Sequence, residues 1–155
     1  MRLLHLSLTN FRNYTRLELS LPPGPILLHG ANAQGKTSVL EAVYYLATSR
    51  SPWTVTDKQL LNWRVKDEFM PFARISAEVD NNRRPLTKID ITLVKDQPNA
   101  DARFRKDIRV NGVTRTSDSR FKIQRFIYSI TILNSTFIIL NLFPIIAHAF
   151  TVLVN

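Results

Sequence analysis

The chain has 155 residues, enough for one ordinary domain with a sizeable core, and carries 21 Lys and Arg against 12 Asp and Glu, a formal net charge of +9. It contains no cysteine, which excludes disulfides, thiolate zinc sites and a cysteine nucleophile and suits a reducing, cytoplasmic setting. The positive excess is read either as a solvated basic surface or as the mark of an anionic partner, nucleic acid or an acidic membrane face. The opening MRLLHLSLTNF alternates, has no unbroken apolar stretch and no small-residue cleavage site, so it does not read as a secretory signal.

Leu4, Leu6 and Leu8 alternate with His5, Ser7 and Thr9, the period of a half-buried strand. Asn10-Phe11-Arg12-Asn13 reads as a turn, and Leu17, Leu19 and Leu21 resume the alternation, which predicts a hairpin. Pro22-Pro23-Gly24-Pro25 ends it, because proline has no amide to give a ladder. Ile26-Leu27-Leu28 is a short continuous apolar run, expected of a strand buried on both faces. After a glycine-containing loop, Val39, Leu40, Val43, Leu46 and Ala47 fall on one helical face. Residues 50–70 are mixed and basic, with Trp53 and Trp63, and predict a loop with a short helix. Ala73, Ile75, Ala77 and Val79, then Ile89, Ile91 and Leu93, predict a second hairpin turning at Asn81–Pro85. Asn111-Gly112 predicts a third, since both turn residues must take positive φ.

The loop carries the chemistry. Gly30-Ala31-Asn32-Ala33-Gln34-Gly35-Lys36-Thr37 matches the phosphate-binding pattern GxxxxGK[ST] in full and is followed by Ser38. Gly30 permits the sharp exit from the strand and Gly35 a close approach of backbone to ligand. The helix behind offers unpaired amides and the positive end of its dipole to an anion. Lys36 is placed to reach β- and γ-phosphates, and the Thr37 hydroxyl is the expected Mg²⁺ ligand. Phosphoryl transfer also needs an acidic residue at the end of another buried strand. Asp90 and Asp107 lie in alternating or charged strands, where a solvated carboxylate is the better reading, so no hydrolytic apparatus is visible.

Taken together, Leu-x-Leu-x-Asn10-Phe11-Arg12-Asn13-Tyr14, the loop Gly30–Ser38, Leu40-Glu41-Ala42, Ser49-Arg50-Ser51 and the Arg109–Val113 hairpin with Arg115 and Ser117-Asp118 resemble the amino-terminal part of the RecF family. These are bacterial recombination-repair ATPases with SMC-type heads. The resemblance spans about residues 1–120. It implies an α/β P-loop head of the ABC type, with mixed and antiparallel strands flanking the P-loop helix. It implies ATP and Mg²⁺ as cofactors, and DNA, single-stranded or gapped, as partner. It further implies RecO and RecR as companions, a role in replication, recombinational repair and the SOS response, and ATP-dependent pairing of two heads. By motif match it places Arg12, Asn13 and Arg50 near nucleotide. An ordinary exposed loop arginine is an equal reading for Arg50.

Residues 121–155 differ from the rest. From Phe126 to Asn155 there is no Asp, Glu, Lys or Arg. Three readings compete. A membrane helix needs about 20 apolar residues, but Ser129, Thr131, Asn134 and Asn141 interrupt the run and Pro144 follows it. A buried strand pair is the second. Translation of a shifted frame is the third, and it is favoured by the break in local consistency. Family members continue through an arm, a signature motif and an acidic Walker B strand. None is visible here, so hydrolysis by this chain alone is not expected. In the middle of the chain Arg83, Arg84, Lys88, Arg103, Arg105, Lys106, Arg109, Arg115 and Arg120 form a basic stretch that would contact DNA phosphates if the side chains share a face. Two other classes compete with the repair ATPase. One is a non-catalytic nucleotide-binding or interaction fragment, membrane-associated through its tail. The other is a small P-loop kinase, for which no acidic base is evident.

Overall fold

The computed structural model describes residues 2–24, 26–65, 68–81, 84–95, 104–115, 130–133 and 137–140. A hairpin of β1 (Arg2–Phe11) and β2 (Tyr14–Ser20) opens the chain, and β3 (Ile26–His29) leads into α1 (Lys36–Thr48). Two single 3-10 turns, Asp57–Leu60 and Trp63–Val65, occupy the following loop. Then come β4 (Phe72–Asn81), β5 (Arg84–Lys95), β6 (Phe104–Val110) and β7 (Val113–Arg115), with β8 (Ile130–Leu133) and β9 (Phe137–Leu140) beyond. One sheet runs β2-β1-β4-β5-β6-β7 and a second runs β3-β9-β8. Every described pairing is antiparallel.

Register explains the core. Leu8 faces Ile75, Ile75 faces Ile91 and Ile91 faces Ile108, so one row of apolar side chains crosses four strands. Leu6, Ala77, Ile89 and Val110 form the next row. Leu6, Leu8, Ile75, Ile89 and Ile91 are fully buried, each contributing about 1.5–3 kcal/mol of transfer free energy. Against these rows α1 lays Val39, Ala42, Val43 and Leu46, while Leu40 packs on Ile26 and Leu28 of β3. The helix is therefore gripped from both sides, which fixes where its amino terminus points.

The predicted alternation of β1 slips at one place. Leu3, not Leu4, is buried together with Leu6 and Leu8, because a bulge between Leu3 and His5 inserts one residue and shifts the phase of the pleat. The first turn is tighter than the sequence suggests: Phe11 belongs to β1 and is buried, leaving Arg12-Asn13 as the turn, with Arg12 at φ 54°. The expectation that β3 is buried on both faces is overturned. Leu27 is 55% exposed, because α1 covers only one face and no described element covers the other. The Asn111-Gly112 turn takes positive φ at both residues, as its chemistry requires.

The basic stretch divides. Arg105 and Arg109 lie on the outer face of β6, but Lys106 faces inward in the row of Ala73 and Leu93. Its ammonium reaches out of the core to donate to Ser49 O at the end of α1 (2.6 Å), pairs with Asp57 (3.0 Å) and sits 4.8 Å from the Tyr45 ring centre. A cation at a helix carboxyl terminus meets unpaired carbonyls and the negative end of the dipole. Burial, then the neighbouring Asp57 carboxylate, push the Tyr45 phenol upward, so it stays neutral and donates to Asp57 (2.8 Å). On the outer face Arg109 pairs with Asp107 (2.9 Å) and Arg74 with Asp90 (2.6 Å). Burial alone would raise the Asp90 carboxyl, but hydrogen bonds from Ser76 and Arg74 and the charges of Arg74 and Lys88 outweigh it and hold it below the usual range. Neither aspartate is available as a nucleotide-site acid. Arg83, Arg103 and Arg120 lie outside the described residues, and so do Ser117 and Asp118.

Candidate nucleotide-binding site

The site begins where β3 ends. Gly30 leaves the strand at φ 151°, Ala33 turns through φ 63° and Gly35 caps α1 at φ 94°. Gly35 supplies no side-chain cap, and the first helical bond runs from Val39 N–H to Gly35 O (3.1 Å). The amides of Lys36, Thr37 and Ser38 are thus left without helical acceptors, three donors at the positive end of the dipole. They open into a small cradle of about 200 Å³ bounded by Ala33–Ser38 and Asn13.

Lys36 curls back over this cradle. Its ammonium donates to Gly30 O and Ala31 O, both at 2.7 Å. An ammonium has three donors, so one remains for an anion while the other two brace the loop. The Thr37 side chain borders the cradle, and among the described residues its hydroxyl makes no hydrogen bond. That fits a hydroxyl able to join a Mg²⁺ shell beside a bound phosphate. No cluster of three Asp, Glu or His suited to a metal exists among the described residues. Ser38 shares both the cradle and its neighbour cleft, and Gln34 is tied by its carbonyl. Asn32 is exposed.

The early turn is seated directly on the loop. A methyl group at Gly35 would come within 2.5 Å of Asn13 Nδ2 and 2.6 Å of Tyr14 Oη. Tyr14 Oη donates to Gln34 O (3.3 Å), and burial pushes this phenol upward, keeping its proton in place. Beside the cradle, sharing Asn13, Thr37 and Ser38 with it, lies a cleft of about 390 Å³ whose other walls include Arg12, Glu41, Gln59, Trp53 and Trp63. The two indoles are 49% and 65% exposed.

Arg12 and Asn13, both singled out by sequence, therefore line the cleft. Arg12 is also committed within the protein. It gives two parallel hydrogen bonds of 2.6 Å to Glu41 and one of 2.9 Å to Gln59 O. Arg50 lies just past α1, exposed, with its backbone tied to the Thr48 hydroxyl and no side-chain partner among the described residues. Sequence reasoning assigned no role to Glu41 or Gln59. The signal for Glu41 was a charged residue inside the apolar helix stretch Val39–Val43; Gln59 acts through its backbone and left none.

Comparisons with known proteins identify the family and the fold. A family profile described as AAA domain matches residues 5–146. The DNA replication and repair protein RecF of Chloroflexus aurantiacus is 50% identical over 84 residues, covering 53% of this chain and 21% of that protein. RecF of Natranaerobius thermophilus is 36% identical over 121 residues, covering 78% of this chain and 28% of that protein. Among solved structures, the recombination mediator RecF with ATP, of the RecFOR pathway, superimposes with a TM-score of 0.65 at 26% identity, over 86% of this chain and 32% of that one. The chain thus spans about a fifth to a third of the length of these relatives. It belongs to the AAA domain family, and its fold is that of the amino-terminal head of RecF.

Proposed function

We propose that the chain binds ATP with Mg²⁺ in the Gly30–Ser38 cradle and serves as the nucleotide-binding head of a RecF-type DNA replication and repair protein. The observation that carries the reading is the Lys36 ammonium, braced by two loop carbonyls next to three open amides. A relative with ATP in its structure supports the choice of ligand. In this reading Thr37 holds Mg²⁺, while Arg12 and Asn13 border the nucleotide and Arg50 lies close by. Titration with Mg-ATP, followed by tryptophan fluorescence, tests it. Trp53 and Trp63 both line the cleft, so saturable quenching is expected, and no response in fluorescence or calorimetry would remove the site. Turnover measured on the same sample separates an ATPase from a fragment that only binds.

The wider role follows as part of the same proposal: association with single-stranded or gapped DNA in the cytoplasm, beside RecO and RecR, in support of recombinational repair and the SOS response, with ATP-dependent pairing of heads. The outer face of the larger sheet carries Arg74, Lys88, Arg105 and Arg109, interleaved with Asp90 and Asp107. Such a mixed face engages few phosphates. DNA affinity is expected to fall with added salt at a logarithmic slope of only about −2 to −4, as for three or four contacts. Binding that ignores salt would rule out this face as a phosphate track.

A further inference from the structure

A buried carboxylate links three of the segments that wall the cleft. Glu41, on α1, is only 2% exposed. It accepts both forked hydrogen bonds from Arg12, in the β1–β2 turn. It also accepts from the Ser51 hydroxyl, whose oxygen in turn takes the amides of Trp53 (3.0 Å) and Thr54 (3.1 Å). Arg12 extends the connection to the first 3-10 turn, donating its guanidinium to Gln59 O and its amide to Leu60 O (2.7 Å). The β1–β2 turn, α1 and the Ser51 loop thus meet at one carboxylate, and Arg12 carries the connection on to the first 3-10 turn.

We infer that Glu41 is a positioning residue for nucleotide binding: it holds Arg12, and with it Asn13 and the Trp53 loop, in place around the cleft. The inference rests on the nucleotide-site reading above. The reason is geometric. Arg12 adopts a left-handed backbone at φ 54°, a conformation a side chain disfavours. The forked pair with Glu41 fixes the guanidinium plane, because two parallel hydrogen bonds hold it in one orientation. Asn13, the next residue, touches Gly35 and borders the phosphate cradle. The guanidinium has five donors and spends three on Glu41 and Gln59, leaving two for a ligand in the cleft.

The test measures Mg-ATP affinity of the full chain and of Glu41→Gln, Arg12→Lys and the double variant, well below each melting temperature, with folding checked by circular dichroism. Glu41→Gln and Arg12→Lys are each expected to weaken ATP about tenfold. The double variant should be little worse than either alone, because both break the same fork. A residue with only a structural role would lower the melting temperature and leave the affinity of the folded protein within twofold, and that result overturns the inference. If Glu41→Gln does not fold, Ser51→Ala, which loosens Glu41 while sparing the fork, takes its place with an expected loss of about threefold; unchanged affinity there also overturns it. Absence of ATP binding by the unsubstituted chain would overturn the nucleotide-site reading and this inference together, whereas retained affinity in the variants overturns this inference alone.

Discussion

Lys36→Ala is expected to weaken ATP binding at least about a hundredfold, a loss of roughly 3 kcal/mol or more for a charge-assisted contact to a triphosphate. The circular dichroism spectrum should not change. Lys36 touches Gly30 O and Ala31 O but none of the apolar rows of the sheet, so its removal relaxes the loop and leaves the core as it is. The melting temperature should drop by no more than the loss of two exposed or half-buried hydrogen bonds implies, about 1–2 kcal/mol in total. Isothermal calorimetry with Mg-ATP on both proteins decides the matter. Equal affinities would mean that the ammonium braces the loop and meets no phosphate.

Gly35→Ala is expected to do more harm, and for two separable reasons. Gly35 sits at φ 94°, a conformation that costs a side-chain-bearing residue about 1–3 kcal/mol. Its new methyl would also lie 2.5–2.8 Å from Asn13 and Tyr14, inside any tolerable contact. The turn must lift off the loop, which opens the cradle at the place where the amides converge. Both the melting temperature and ATP affinity should fall, the second beyond detection. Gly30→Ala provides the control. Gly30 also has positive φ, at 151°, but a methyl there meets nothing within 4 Å. It should carry the backbone cost without the collision, so its affinity loss should be clearly smaller. Equal effects at both glycines would show that contact with the Asn13-Tyr14 turn is unimportant.

The mixed character of the sheet's outer face changes how the net charge of +9 is to be understood. One basic residue of the middle stretch, Lys106, is withdrawn to lock β6 onto the end of α1. Arg109 of the same stretch, and Arg74 on β4, are paired with aspartates. The net charge already subtracts these aspartates, and their interleaving with the arginines places little of the positive excess on this face. No described helix is long and apolar enough to cross a membrane. β8 and β9 form a short hairpin that pairs with β3 through β9, within the stretch that the composition sets apart.

What could be read from the sequence was local. The spacing of Gly30, Gly35, Lys36 and Thr37 is enough to define a phosphate loop, because the chemistry lies in the backbone of eight consecutive residues. Strand periodicity and the Asn111-Gly112 turn likewise depend on neighbours; both appear where expected apart from the bulge at Leu3–His5 and two shorter turns, since Phe11 belongs to β1, Asn81 to β4, and Arg84 and Pro85 to β5. The tertiary structure decided what no local pattern encodes. Arg12 meets Glu41 across 29 positions, Lys106 meets Ser49 across 57, and Asn13 and Tyr14 come to rest on Gly35. Such pairs form only once α1 is packed against the sheet. The hydrophobic rows that drive that packing are indifferent to which polar groups they bring together, so the pairing of groups across the cleft is a consequence of register and helix placement, and no local pattern records it.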